Sequence, residues 1–522
     1  MTETLIDWNK DLPADPKEEY EALVRSLSWI DGFGLIFVRC SPAEGERLIE
    51  KVSEDIPQKN IEVLALEKPI GNLYDIVDNL PDKEQINILF VTGIEKSFVE
   101  YIKPGYGGQG DYYKLDTVPR VLGHLNLQRE RFRDNFNICF VFILPLFGLK
   151  YFIRRAPDFF DWRSGVFEFP TEREIVESES MRIIFEGDFE KYLSLTPLER
   201  NQKILEIQEW LTEDNQTPNY RFDLLVEVGD LLLAGKEYAT AIASYDRALE
   251  IKPDKYEAWN NRGIALFNLG RYEEALASYD RTLAIKPDLD AAWNNRGIAL
   301  FNLGRYEEAL ASYDRALAIK PDTAFSAVMR YIQKLANLFL TVAISIFGVH
   351  HYYWNVGFGK DEAWYYRGNA LRKLGRYEEA LASYDRALEI KPNNDEAWYY
   401  RGNALHKLGR YEEAITSYDR ALEIKPNNDE AWYYRGDALY NLGRYEETIA
   451  SFDRALAIKP DDDLAWYNKA CCYALQGDVN RSMENLQKAI ELNPEYREDA
   501  KTDSDFDRIR ENKRFQEIIQ NQ

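Results

Sequence analysis

Cysteine and histidine each occur only four times in 522 residues. Cys40, Cys139, Cys471 and Cys472 show neither a disulfide framework nor a metal-ligand spacing, which leaves small buried thiols in a reducing compartment. Cys471 and Cys472 are adjacent on a predicted helix, as are His350 and His351, and adjacent helical side chains diverge, so no metal is assigned. Positive charge is scarce too: Lys+Arg is 65 against Asp+Glu of 89, a net −24. Nucleic acids and anionic membranes need a basic footprint, and neither is an expected partner. The opening residues, MTETLIDWNKDLPADPKEEY, are acidic and have no apolar core, so a cytoplasmic chain without a secretory leader is expected. There is no nucleophile–base pairing, no metal constellation and no intact phosphate loop. No enzyme activity and no cofactor are expected.

What the chain does have is a period. DEAWYYRGNALRKLGRYEEALASYDRALEIKPNN begins at Asp361 and returns at Asp395 and Asp429, with looser copies at Tyr256, Asp290 and Asp463. Trp364, Trp398, Trp432 and Trp466 are each 34 residues apart, and so are Trp259 and Trp293. Such a period marks a stacked helical array. Within one unit Trp364, Gly368 and Leu371 recur at helical spacing, and Leu374-Gly375 stops the first helix. Tyr377, Ala380, Leu381, Tyr384 and Leu388 make a second stripe that ends before Pro392. Gly368 and Ala380 are small enough to let the two helices approach closely. Two short helices cannot bury an apolar face alone, so neighbouring units must stack into a solenoid.

Each clear unit resembles the tetratricopeptide repeat, its pattern carried by Trp364, Gly368, Leu371, Ala380, Tyr384, Ala387 and Pro392. Arg367 departs from it, standing where the family more often has leucine. The resemblance covers roughly half the chain and implies an interaction scaffold.

Residues 1–170 follow another rhythm. Gly34–Cys40, Ile61–Leu66, Ile86–Thr92 and Ile138–Leu144 read as strands, with Val166–Phe169 as a fifth. Amphipathic segments at Glu46–Ile56, Asn72–Leu80, Pro119–Phe136 and Gly148–Arg155 alternate with them. Apolar strands between helices argue for a parallel sheet covered on both faces. The layout resembles P-loop ATPase domains of the AAA and STAND type. The likeness rests on NILFVTGIEK at Asn87–Lys96, LNLQRERFRDNFNICFVFILP at Leu125–Pro145 and APDFFDWRSGVFEF at Ala156–Phe169. It implies a signalling or scaffolding switch with appended repeats. Set on the G-x-x-x-x-G-K-[ST] template, the first strand leads to Cys40 through Gly45, with Glu46 in place of the lysine and Arg47 in place of the hydroxyl. Only the second glycine survives. Ser41 as an N-cap, Pro42 at the first helical position and Glu44 in a capping box account for the same residues. The domain is therefore expected to be a degenerate, non-hydrolytic P-loop-like fold. Lys103–Val118 reads as a glycine- and tyrosine-rich loop. Arg120, Arg129, Arg131 and Arg133 make a basic stripe, read as a solvated face paired with nearby acids or as a dock for an acidic partner.

Residues 171–218 are expected to form a helical linker, with Thr196 capping a helix through Leu211. The array spans 219–496. Its tryptophan period breaks once: Trp364 follows Trp293 by 71 residues, two periods plus three. A degenerate unit at about 323–360 is expected there. The uncharged run that includes Leu335–Trp354 also permits an exposed apolar dock or a membrane segment. Residues 497–522, with Phe506, Ile509, Phe515, Ile518 and Ile519 on one side, read as a capping helix.

The fold class is thus an N-terminal α/β parallel-sheet domain followed by an all-α solenoid. First helices are expected to line its concave side, and positions one, five and eight after each tryptophan share a helix face. In the three cleanest units these are Tyr365, Asn369 and Arg372; Tyr399, Asn403 and His406; and Tyr433, Asp437 and Tyr440. In earlier units they are Asn260, Ile264 and Phe267, then Asn294, Ile298 and Phe301. Rings and amides suit an extended peptide, and packing between repeats would use the same tyrosines. A protein or peptide partner is the expected ligand. A nucleotide-regulated switch and a membrane-tethered assembly factor are the alternatives.

Overall fold

The structure is a computed structural model and describes residues 15–101, 118–213, 215–319 and 359–520. The expected loop at Lys103–Val118 falls almost wholly outside these residues, and so does the expected degenerate unit. The chain divides into two compact bodies, one running to Gly270 and the other starting at Arg271.

The first body opens on the parallel sheet. Its strands are β1 (Gly34–Arg39), β2 (Ile61–Ala65), β3 (Ile88–Thr92), β4 (Cys139–Leu144) and β5 (Gly165–Glu168), in the order β2-β3-β4-β1-β5. All four pairings are parallel, with Gly34 beside Cys139 and Ile36 beside Gly165. β1 and β4 are central and read as unbroken apolar runs because helices cover both faces. One side carries a phenylalanine-rich core around Phe37, Phe132, Phe140, Phe142 and Phe152. The other packs Val38, Val141 and Phe90 under Leu23, Leu27, Leu48 and Val52. Ser41 does cap the helix Pro42–Asp55, accepting from the Glu44 amide at 3.3 Å. No reciprocal bond from Glu44 closes a capping box there; one of its carboxylate oxygens faces Arg47 at 4.0 Å. Thr196 and Glu199 do form the full box on the linker helix Pro197–Thr212. Two members of the basic stripe are paired with acids, Arg129 with Asp158 at 3.6 Å and Arg133 with Asp134 at 2.7 Å; Arg131 lies over Tyr74 at 4.2 Å, and Arg120 is exposed.

The linker reaches the first repeat helix, Pro218–Ala234, through buried acids. Glu227 and Asp230 lie one turn apart on that helix, 3% and 8% exposed. Tyr192 donates to Glu227 at 2.6 Å, and Tyr245 donates to Asp230 at 2.6 Å. Asn261 adds a bond to Asp230 at 3.0 Å. Gly187 crosses so close that a Cβ there would stand 2.5 Å from both Glu227 carboxylate oxygens. Burial, and then the Asp230 charge, push the Glu227 carboxyl above its ordinary range.

The second body is stacked helical pairs. Two features of the sequence set their geometry. Within a pair, the glycine of the first helix meets an aromatic ring of the second: a Cβ on Gly368, Gly402 or Gly436 would lie 2.6–2.7 Å from Tyr384, Tyr418 or Phe452. Gly375, Gly409 and Gly443 end the first helices at φ of +75°, +73° and +74°. Between pairs, the departing arginine is the link. Arg401 donates to Asp385 of the preceding unit at 2.7 Å and to Ser417 of its own second helix at 2.7 Å. Arg296 and Arg435 repeat both bonds, and Lys469 keeps the first at 2.6 Å. Each arginine also lies over its own tryptophan, at 5.7 Å for Arg401 and Trp398.

The same link joins the helices on either side of the undescribed stretch. Arg367 donates to Asp314 at 2.7 Å, Tyr366 stacks on Tyr313 at 6.4 Å, and Lys360 reaches the Ile319 carbonyl at 3.0 Å. Tyr306–Ala318 and Lys360–Lys373 therefore pack against each other through the contacts that join neighbouring units elsewhere. The 71-residue interval is equally one period plus 37. Among the described residues no helix is long and apolar enough to cross a membrane.

Two outcomes follow. Joining Thr323 directly to Asp361 restores the 34-residue spacing, and thermal unfolding followed by circular dichroism should keep one transition with its midpoint within a few degrees. A split or lost transition would contradict direct stacking. For Glu227, a folded-state pKa above the unfolded one means its stabilisation is complete below the ordinary carboxylate range and is lost as pH rises through the folded value. Glu227→Gln should therefore be more stable than the parent at pH 8 and lose the advantage at pH 5, read by urea denaturation at both values.

Candidate protein-interaction face

The first helices of the cleanest units are Lys360–Lys373, Asp395–Lys407 and Asp429–Asn441. Asn394 and Asn428 cap the last two, each accepting from an amide at 3.0 Å. Trp398 and Trp432 anchor the starts by donating to the carbonyls of Pro392 and Pro426 at 2.9 Å. The expected face residues then fall into two groups.

Tyr365, Tyr399 and Asn369 are buried, at 8%, 7% and 6% exposure. Tyr365 donates to Glu396 at 2.8 Å and Tyr399 to Glu430 at 2.9 Å, each reaching the next first helix. Asn369 and Asn403 accept from the hydroxyls of Tyr384 and Tyr418 at 2.8 Å. Arg372, Asn403, His406, Tyr433, Asp437 and Tyr440 are half-buried. Arg372 lies over Tyr400 at 4.7 Å, His406 meets Asp437 at 2.7 Å, and Asn468 donates to the Tyr433 hydroxyl at 2.9 Å. Tyr440 donates to Asp505. In earlier units Asn260, Asn294 and Ile298 are buried, while Ile264, Phe267 and Phe301 are half-buried.

Positions one, five and eight miss part of the face. Tyr366, Tyr400 and Tyr434, two after each tryptophan, are less buried than their neighbours and bridge units; Tyr434 is 37% exposed. Tyr365 meets Tyr400 at 6.1 Å and Tyr399 meets Tyr434 at 6.2 Å. Their signal was recurrence at the same period. Glu396 and Glu430, two before the tryptophan, recur likewise.

The residue after the glycine decides how the second-helix ring is satisfied. Asn369 and Asn403 accept from a tyrosine, and so does Asp230 in the first body. Where the ring is Phe452 there is no hydroxyl to place. In the unit of Gly297 the following residue is Ile298, and the Tyr313 hydroxyl is buried without a partner. Both amide atoms of Asn294 are orphaned in the same unit.

A second place for a ligand is the carboxyl end of the sheet, the position a phosphate would take above Gly45. A Cβ on Gly45 would meet Ile143 at 2.9 Å. Arg39 is paired with Glu168, and Arg47 faces Glu172 at 3.6 Å. Burial pushes the Glu209 carboxyl of the linker helix up to about 8, helped by Glu213 and Glu95 and opposed by Arg39. Glu95 is itself raised by burial, with one oxygen unpartnered. The two arginines at this end are thus each paired with a glutamate, and burial favours the protonated form of the two acids beside them. Among the described residues one further group of possible metal ligands lies close together: Cys471, Asp503 and Asp505, within 4.8 Å of one another. Burial holds the Cys471 thiol protonated, and Tyr467 and Tyr440 donate to the two carboxylates.

Family models for the tetratricopeptide repeat match residues 226–290, 291–323, 429–462 and 464–496, and a TPR repeat model matches 368–409 and 402–443. The array is built of tetratricopeptide repeats. Among solved structures, the chain is similar to YrrB, described as a TPR protein with an unusual peptide-binding site. The two share 23% identity over 43% of this chain and 97% of that one, with a TM-score of 0.33. It is also similar to MamA, at 18% identity over 39% and 92% with a TM-score of 0.31. The C-terminal part of a TPR repeat-containing protein from Cytophaga hutchinsonii gives 16% over 51% and 94%, with a TM-score of 0.39. No curated protein matches the chain.

The hydroxyl rule generates a paired test. Tyr313→Phe removes an unsatisfied group and should be neutral or stabilising in urea denaturation. Tyr384→Phe leaves the Asn369 carbonyl unpaired and should cost about 1 kcal/mol. Equal costs would contradict the rule.

Proposed function

We propose that this chain is a non-enzymatic scaffold whose tetratricopeptide repeats hold a segment of a partner protein along the first helices of residues 360–441. The observation that carries the reading is the row of half-buried polar and aromatic side chains on consecutive helices: Arg372, Asn403, His406 and Asp437 set among Tyr400, Tyr433 and Tyr434. Rings supply contact area at little conformational cost, and an amide can bond a peptide backbone in both directions. Tyr365, Tyr399 and Asn369 hold the helices in register beneath that row. The expected partners are proteins or peptides. Glu46 and Arg47, standing where a phosphate loop has its lysine and hydroxyl, weigh against a nucleotide-regulated switch.

The test is comparative. The tagged full chain and its Arg372→Ala/His406→Ala variant are used to recover partners from cell extract, with quantitative mass spectrometry as readout. His406 pairs with Asp437 and Arg372 lies over Tyr400, so thermal unfolding of the variant is followed alongside, with a modest loss of stability and a retained fold expected. At least one partner should fall about tenfold, the size of a hot-spot loss. Equal recovery of every partner would place binding elsewhere.

A further inference from the structure

The repeats end on two tyrosines that no repeat satisfies. In the inner units, the tyrosine after the tryptophan gives its hydroxyl to a glutamate of the next first helix: Tyr365 to Glu396 and Tyr399 to Glu430. The position that should serve Tyr433 is Leu464, which is 41% exposed, and Tyr433 accepts from Asn468 instead. Among the described residues no further repeat follows the unit of Tyr467. The carboxylates for this end come from the tail. Tyr467 donates to Asp503 at 2.8 Å, and Tyr440 donates to Asp505. Both tyrosines stand at face positions, one and eight residues after a tryptophan.

The tail segment is seated by more than charge. Asp503 accepts from the Asp505 amide at 3.0 Å and starts the short 3-10 turn Ser504–Ile509. Phe506 is fully buried, 5.8 Å from the Tyr467 ring and 5.4 Å from Phe515. Ile509 is 3% exposed in the same cluster, beside Cys471 and Ala474 of the last first helix. Arg508 donates to the Leu475 carbonyl at 2.6 Å. Four anchors within seven residues thus seat the segment: Asp503, Phe506 and Ile509 on the first helix Asp463–Gln476, and Asp505 on Tyr440 of the first helix before it.

We propose that this end of the face is a binding site for a short acidic segment with an aromatic anchor, of the form Asp-x-Asp-Phe, and that the tail is its resident occupant. A partner carrying that chemistry exchanges with residues 503–509 rather than adding to them. The tyrosine hydroxyls read carboxylates, and Phe506 marks where an aromatic side chain inserts. Tethering gives the tail a high local concentration, so an incoming segment binds the intact chain weakly until the tail is loosened. The site is separate from the central row of side chains, and its test needs no knowledge of that partner.

The probe is a fluorescein-labelled peptide of residues 499–511. Its control is the same peptide carrying Asp503→Asn, Asp505→Asn and Phe506→Ala. Anisotropy is measured on the full chain and on the full chain with those three substitutions in its own tail. The tail-substituted protein should bind the probe about tenfold more tightly than the parent. It should not bind the control peptide, and adding Tyr440→Phe and Tyr467→Phe should abolish the gain. If hydrogen exchange shows the last unit still protected and the probe does not bind, the proposal is overturned. Should that unit lose protection, the parent chain decides. Excess probe must then speed exchange at residues 503–509, while the control peptide must not. Unchanged exchange there would equally overturn the proposal.

Discussion

Everything in the array depends on one close approach: a glycine on the first helix pressed against an aromatic ring on the second. A Cβ at Gly368 would sit 2.6 Å from the Tyr384 ring, inside the distance any carbon tolerates. The ring fills the space a side chain would have taken, so the two helices of a unit are held at a fixed separation. The residue after the glycine is then forced toward the ring's hydroxyl. That is why asparagine follows the glycine where the ring is Tyr384 or Tyr418. Packing chooses the polar partner, and a unit that breaks the pairing, as Ile298 does, leaves a buried hydroxyl orphaned.

A second layer of interactions joins the units, and it is made of charge in a protein that has too much of one sign. Each arginine link ties an aspartate of one unit to a serine of the next while lying over a tryptophan. The pairs are partly exposed and individually worth little. Their value is registry, since the same fork repeats from Arg296 to Arg435 and only a correct stack satisfies it. The tyrosine-to-glutamate bonds do the same on the other side of the first helix. Where those glutamates run out, the tail supplies aspartates. The acidity of the chain is therefore built into its contacts as well as its solubility.

The first body handles acid differently. Glu227 and Asp230 are buried between tyrosines, and Glu209 and Glu95 crowd the end of the sheet. Carboxylates without a buried cation hold protons near neutrality.

Much of this was legible in the residues. Strands follow from unbroken apolar runs, because both faces of the sheet are covered, and helices and repeat boundaries from periods of 3.6 and 34, because burial of one face imposes those periods locally. The glycine stops and the Thr196 box are likewise local. The sequence by itself determined the helical pairs, the parallel sheet and the tetratricopeptide pattern. Only the tertiary structure decided which face tyrosines are buried and which lie partly exposed, that Arg367 reaches Asp314 across 53 positions, and that Asp503 and Asp505 turn back onto Tyr467 and Tyr440. Those outcomes pair groups far apart in the chain, and no local period carries information about such partners.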